Sequence, residues 1–564
     1  LTTSSAPMDV KNSYMEKMYE KISQSSIFQD RQKDTKTTLF LSVGSKNSRA
    51  IVFVSTQRNF DQAWADLSQQ FSHFSSTFDK KIKSLKIDWM EEETTHSVAQ
   101  FINLITKTKK NYYRKGIILG NDYNYAFLEQ EVNGNAFIQK GEKNNRGYLN
   151  AKNINHYIKN HRPNQSMVDF TKVHVIKSFS TSGFYYSEGN FYTLKNNELD
   201  NGRRDTPLNN DELKYLITSG ANFLIDNNRS DGKFNYGYFS CFDKPIKFYN
   251  MLRHASTLYS MIEVYELFPS NDLQKAIEKG IDFLLTQGIQ TYNHNEKSYV
   301  IDQTSKGSHE YKLGANATAL LALTKYMSVF NNSVHLENAR RLARGILYMQ
   351  LEDGAFTHVL FPSLETKEDF RIVYYDGEAA FALMRLYQLD NQDIWIHAVE
   401  KAMDYFIENK YWKHHDHWLG YCVNELTTYR PLRKYYEFGI LNIKNKLDFI
   451  YHRQTTYPTF LELLLSVYSL VEKMRTEDCE ELLDGFDQYF LHETIQKRAE
   501  YQRNGFFYPE LSMYFKNPAR INGSFFIRHH SFRSRIDDVE HYLSGYCRYY
   551  KLLNQQLETN AKKL

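Results

Sequence analysis

The sequence predicts a chain in two parts. An α+β domain with a mostly antiparallel sheet comes first, and a larger all-α domain, an α/α toroid of about six helical hairpins, follows it. Three observations lead there. Residues 1–195 mix strand and helix periods, 196–210 is polar with no apolar periodicity, and 211–564 carries an almost unbroken helical period. At 564 residues the chain exceeds a single typical core.

In the first part, 38–43 and 50–54 are short β-rich runs separated by a Gly/Ser/Asn turn, the signature of a hairpin. Phe60, Ala63, Leu67 and Phe71 then recur at helical spacing. Strand-like runs at 85–89 and 115–119 flank an amphipathic helix at 98–106, and a last extended stretch covers 168–192. No Gly-rich phosphate loop follows any of these strands, so no nucleotide site is expected. The segment 196–210 (NNELDNGRRDTPLNN) reads as the linker.

In the second part, five segments rich in Ala, Leu, Ser and Tyr (249–267, 311–330, 374–389, 457–474, 535–553) are apolar on more than one face. A helix apolar nearly all round is buried on all sides. The segments between them (211–226, 272–286, 336–348, 394–408, 480–490) are amphipathic and more charged, as an outer layer requires. Inner helices wrapped by outer ones make a ring; a plain solenoid would not need so apolar an inner layer.

Composition narrows the function. A net charge of +4, evenly spread, does not make the basic face that nucleic acid needs. No apolar stretch reaches the roughly 18 residues that span a bilayer. The four cysteines lack CxxC spacing, and no cofactor is expected. Aromatic residues reach 15%, with 42 Tyr, which suits both helix interfaces and surfaces that stack on sugar rings. The compartment follows from the start: exported or periplasmic if Leu1 follows a removed signal, cytoplasmic if Met8 is the native start. Oligomeric state is left open.

The inner helices begin with polar residues although their middles are apolar. Their starts carry Tyr249, Arg253 and His254; Lys312 and Asn316; Tyr374, Tyr375, Asp376 and Glu378; Glu462; and Arg535, Asp537, Asp538 and His541. Capping accounts for Asp, Asn and Thr. It does not ask for Arg253, His254, Lys312, Glu462 or Arg535, so one shared cleft at the N-terminal ends is expected. Acid–base work on a glycosidic bond needs two carboxyl groups, and Asp376 or Glu378 with Asp537 or Asp538 are the candidates. His254 is a candidate base or anion contact, with a core histidine as the other reading. Substrate contacts are expected from Arg253, Tyr249, Tyr374, Tyr375, Arg535, His541, Lys312 and Asn316. Four turns of the form Asp/Asn-Gly-x-Phe (231–234, 353–356, 504–507, 522–525) would set aromatics around the rim. His414-His415-Asp416-His417 resembles a metal tract, but no further ligand set is visible, so it is read as a rim loop and no metal is assigned.

On helix pairing, Asp-Gly-x-Phe turns and Tyr-rich helix starts, about 350 residues resemble the superfamily of α/α-toroid glycan-active proteins. That group includes six-hairpin glycosidases, uronyl hydrolases, polysaccharide lyases and sugar epimerases. The resemblance implies an enzyme that cleaves or modifies a glycan, acidic ones included, as hydrolase or lyase. The competing reading is a non-catalytic polysaccharide-binding or scaffold protein in surface-polymer assembly. A third is a peptide or polyketide cyclase, since fold alone does not decide function.

Overall fold

The computed structural model describes residues 6–30, 35–78, 80–294, 296–477 and 479–563. Two compact units emerge. One comprises 1–207, 238–244 and 504–534; the other comprises 208–237, 245–503 and 535–564. The first unit therefore takes in two stretches that lie far along the chain, which local periodicity does not signal.

The first unit is built on a seven-stranded antiparallel sheet. Its strands are β1 (Thr37–Ser45), β2 (Ile51–Gln57), β3 (Ile82–Ser97), β4 (Gly116–Leu119), β5 (Ala126–Phe127), β6 (Val175–Ser187) and β7 (Asn190–Thr193). Their order is β2-β1-β3-β6-β4-β5, with β7 also paired to β6. The helices that accompany it include Ala6–Ser23, α1 (Phe60–Thr77), α2 (Val98–Lys107) and α3 (Ala151–His161). In β1 the period of two is plain. Leu39, Leu41 and Val43 join Phe60, Leu67 and Phe71 of α1 in one core, while Phe40 faces the other way and stacks on Phe179 at 5.6 Å. The β1–β2 hairpin pairs Leu41 with Phe53, as the two β-rich runs require.

The second unit is mainly helical. Six long helices occupy its inside: α5 (Met251–Leu267), α7 (Leu313–Val329), α9 (Tyr374–Asp390), α11 (His417–Tyr429), α13 (Thr459–Thr476) and α15 (Ile536–Lys563). Each packs on the next and α15 returns to α5, which closes a circuit. Outside them lie α4 (Asn210–Asn227), α6 (Asn271–Gln287), α8 (Leu336–Met349), α10 (Asp393–Glu408), α12 (Arg433–Leu441) and α14 (Gln488–Tyr501). The expected segments meet these elements except in three places, one of them the outer helix α12, which no expected segment covers. The inner helix α11 is missing from the expectation because its start lies in the His-rich stretch read as a loop. The helix expected at 480–490 is a short 3-10 turn at Glu480–Leu483 followed by α14.

A small antiparallel sheet, also unexpected, forms from the loops that lead into the inner helices. Its strands are β8 (Ile289–Tyr292), β9 (Lys297–Gln303), β10 (His309–Lys312), β11 (Val359–Leu360) and β12 (Thr366–Glu368).

Two of the Asx-Gly-x-Phe turns repeat one packing device here. Gly232 and Gly354 have φ of +87° and +96°, and a Cβ at either would strike an outer-helix carbonyl, Lys279 O or Lys401 O. Only glycine meets both demands. The trailing Phe234 and Phe356 are buried, as are Phe506, Phe507 and Phe525 in the first unit. The expectation that these aromatics line a rim is therefore corrected: they are core.

Candidate active site

The first turns of the inner helices meet in a chain of neighbours around the circuit. Thr318 Oγ1 of α7 donates to Leu252 O of α5 at 3.2 Å. A Cβ on Gly314 of α7 would strike Glu378 Oε2 of α9, and one on Gly377 of α9 would strike Asp416 Oδ2 at the cap of α11. His417 Nε2 of α11 lies 3.7 Å from Glu462 Oε2 of α13, and that same oxygen is 3.0 Å from His541 Nδ1 of α15. Glu540 Oε2 accepts from Ser256 Oγ at 3.1 Å, and Asp537 pairs with Arg253 Nε at 3.1 Å, which leads back to α5.

His417, Glu462 and His541 form the centre. Their imidazoles stand edge to face, 5.6 Å apart. Burial, with the charge of His541 beside it, pushes His417 well below the ordinary histidine value, so it is neutral. Its Nε2 is buried without a hydrogen-bond partner. Burial also opposes charge on His541, but Glu540, Glu462 and Asp537 override it and raise its pKa to about 10. The surroundings thus push the two imidazoles in opposite directions, His417 toward the neutral form and His541 toward the protonated one, as a base and an acid require. Glu462 is fixed from behind: Tyr421 OH donates to its other oxygen at 2.9 Å, and the Arg548 guanidinium lies 3.8 Å over the Tyr421 ring.

Among the surrounding carboxyls, Glu540 Oε2 lies 3.7 Å from His541 Nε2. Burial raises Glu540 to about 8, and drives Glu378 and Asp416 well above their usual values, with mutual repulsion adding to it. Glu540 Oε1, Glu378 Oε2 and Asp416 Oδ2 are buried without a hydrogen-bond partner. Asp376 is held by His358, whose Nε2 donates to Oδ2 at 3.1 Å while its Nδ1 accepts from Arg371 N at 2.8 Å. Burial raises Asp376 and His358 counters it.

The expected residues therefore divide. Asp376, Glu378, Asp537 and His541 lie on the converging ends. Asp537 is engaged by Arg535 as well as Arg253, and Asp538 caps α15 by accepting from Arg535 N at 3.2 Å. Tyr374 and Tyr457 meet hydroxyl to hydroxyl at 3.2 Å, and Tyr374 lies 6.0 Å from His417. Tyr375 is buried against His358.

Others are corrected to packing roles. His254 is fully buried: its Nε2 donates to Gly280 O at 2.8 Å and its Nδ1 accepts from Tyr249 OH at 2.6 Å. Burial lowers it to about 4, so neither nitrogen is free to act as a base. Tyr249 is spent on that bond and on accepting from Phe234 N. Asn316 clamps backbone, accepting from Val300 N and donating to Ser298 O and Leu342 O. Lys312 pairs with Asp302 at 3.4 Å.

His417 was the missed residue, and its signal was in the sequence: Asp416 is an N-cap, accepting from Trp418 N, and starts a helix inside the His tract. The rim aromatics are also different ones. Phe248 and Phe370, just before α5 and α9, are 56% and 55% exposed, and Tyr457 stands open before α13.

The same centre could hold a metal. His417, Glu462 and His541 each offer one ligand atom, all within 4.8 Å of one another, a His2Glu donor set of the kind that suits zinc.

No protein-family model matches the chain, and no curated protein matches it. Solved structures do resemble it, and they are α/α-toroid proteins active on glycans. A sugar epimerase from a ruminal bacterium is 12% identical, with a TM-score of 0.47, covering 61% of this chain and 98% of that one. Cellobiose 2-epimerase from Bacillus thermoamylovorans is 13% identical, with the same TM-score and the same coverages. An unsaturated glucuronyl hydrolase specific for heparin is 10% identical at a TM-score of 0.42, covering 61% and 99%.

Proposed function

We propose that the second unit is a six-hairpin toroid acting as a carbohydrate enzyme that moves a proton on the carbon beside a sugar carbonyl. His417 Nε2 takes the proton from that carbon, and protonated His541 donates to the carbonyl oxygen, giving an enediol. Return of a proton to the opposite face yields the epimer; return to the neighbouring carbon yields the isomer. The observation that carries this reading is the pair of buried imidazoles that stand edge to face 5.6 Å apart on either side of one Glu462 oxygen.

The other residues take supporting roles. Glu462, bonded to His541 Nδ1, favours its charged form, and the neutral acids of Glu378 and Asp416 can donate hydrogen bonds to hydroxyls. Asp376 stays with His358, and Asp537 and Asp538 hold Arg253 and Arg535. Because both guanidiniums are engaged, a neutral sugar fits this site better than a uronate. Phe248, Phe370, Tyr374 and Tyr457 offer ring faces at the opening.

Incubation with a panel of reducing sugars in D2O tests it. The expected result is deuterium at the carbon next to the carbonyl together with conversion to an epimer or isomer. His417→Ala and His541→Ala should each lower kcat by roughly 10²–10⁴. Release of reducing ends or of unsaturated products without such exchange would overturn the scheme in favour of hydrolysis or elimination. Stoichiometric zinc in the purified protein, with activity lost on chelation, would replace the two-histidine scheme by a metal-assisted one. Glycan binding without turnover on the whole panel would favour the non-catalytic reading.

A further inference from the structure

The sheet of the first unit curls until its end strand β2 meets the turn that leads into β5. In pairing order β2 and β5 are the outermost strands, yet β2 packs against the turn Tyr123–Tyr125 that leads from β4 to β5. One core cluster includes Phe40 from β1, Val52 from β2, Ile118 from β4, Ala126 from β5 and Phe179 from β6, so the sheet wraps round it like an unclosed barrel. The seam is a groove of about 710 Å³. It is bounded by the free edge of β2, by Asp66 and Gln70 of α1, by the 121–125 turn and by the 162–166 segment after α3.

The lining has a distinct chemistry. Alternate residues of an antiparallel edge strand turn their N–H and C=O groups away from the partner. Gln70 Nε2 reaches Val54 O at 3.4 Å, which marks Val54, and by parity Val52 and Thr56, as the outward-facing set. Ser55 Oγ, in the same wall, is buried without a hydrogen-bond partner. Gln57, Asn121, Asn124, Gln165 and Ser166 add amides and a hydroxyl. Among the described residues the one lining guanidinium, Arg162, is already held by Glu131 at 2.8 Å, and Asp122 is a cap accepting from Asn124 N.

We infer that this seam binds a short neutral oligosaccharide, as a site separate in its residues from the toroid centre. Amides and hydroxyls donate and accept side by side, which matches vicinal sugar hydroxyls. Among the described residues the lining offers no uncommitted cation to pair with phosphates or uronates. An added peptide strand fits less well. β2 already lies against the 123–125 turn, and Phe53 and Val52 point into cores, so no apolar pockets are left for a peptide's alternate side chains. The volume falls within the range of about 300–1,000 Å³ common to ligand sites.

Hydrogen exchange of the full chain with and without cellotriose, maltotriose or mannotriose at millimolar concentration tests the inference. Expected is slower exchange in 52–57, 121–125 and 162–166 with at least one trisaccharide, in the wild type and equally in His541→Ala. Ser55→Ala should keep the thermal midpoint, since its hydroxyl satisfies nothing in the unliganded fold, yet weaken that protection tenfold or more in ligand concentration. Asn121→Ala, at an exposed position, should do the same. The inference is overturned if no trisaccharide protects these segments, if both variants bind as the wild type does, or if only a lysine-containing hexapeptide protects them. Loss of turnover in His541→Ala with the seam protection intact separates this site from the toroid reading.

Discussion

The two units differ in how completely their buried acids are matched. In the first, Lys86 Nζ lies 2.6 Å from Asp88 Oδ2 inside the sheet and donates to Tyr514 OH at 3.2 Å. Glu131 is likewise saturated, by Arg162, Tyr157 and Leu128 N. Each buried carboxylate there has its cation. In the second unit, Glu378, Asp416 and Glu540 crowd the helix ends, each with a buried oxygen lacking a hydrogen-bond partner. A matched buried pair adds little net stability by itself, but losing one partner strands the other charge and is strongly destabilising. Unmatched buried acids cost stability and persist where chemistry uses them.

The largest test of that contrast is Asp88→Ala. It strands a fully buried ammonium, so a loss of roughly 3–5 kcal/mol is expected, read as a lower denaturant midpoint of the first unit's transition. Asp88→Asn should recover part of it. A loss under about 1 kcal/mol would break the claim that this pair is structural.

Much of this was legible from sequence and some was not, for identifiable reasons. Periodicity placed β1, β2, α1 and five inner helices, because each buries a face whose spacing is set by its own element. It also located the helix ends that meet. It could not choose among the polar residues on them. Arg253 and His254 are adjacent, yet one pairs across to α15 and the other turns into packing against Gly280. Adjacent residues on a helix point about 100° apart, and which direction is the cleft depends on neighbours remote in sequence. His417 was hidden for the same reason, since its partners Glu462 and His541 are 45 and 124 residues away by number. The seam in the first unit arises from sheet curl, which leaves no local pattern at all.

Proton linkage gives a second test, with opposite signs in two places. Glu310, bonded by Arg371 and Lys367, is held down at about 2. Its folded pKa lies below the unfolded value near 4.3, so its contribution is present above that value and is lost as pH falls toward 2. Glu540 is raised by burial to about 8. The folded form then holds the proton more tightly than the unfolded chain, so stability falls as pH rises from about 4.3 to 8. Glu540→Gln should flatten that upper slope, whereas Glu310→Gln should flatten only the acid one. Denaturation midpoints from pH 3 to 9 check both. The same Glu540→Gln change removes an anion next to His541, so the alkaline limit of activity should move below the region near pH 10.

The smallest expected effect is the most discriminating. Glu378 is buried with an unpartnered oxygen, and burial above all, with other acids beside it, drives its carboxyl well above its usual value toward the neutral form. Glu378→Gln keeps the size and the uncharged state, and it removes only the possibility of ionising. Stability at neutral pH should therefore change by no more than about 0.5 kcal/mol, in contrast with the loss from Asp88→Ala. Turnover should fall if the acid form donates its proton or a hydrogen bond to substrate, because an amide donates in a different geometry and cannot give up a proton. Unfolding curves measured beside kcat decide it. A large loss of stability would show that Glu378 is a matched structural ion after all, and would remove the contrast between the two units at the residue where it is sharpest.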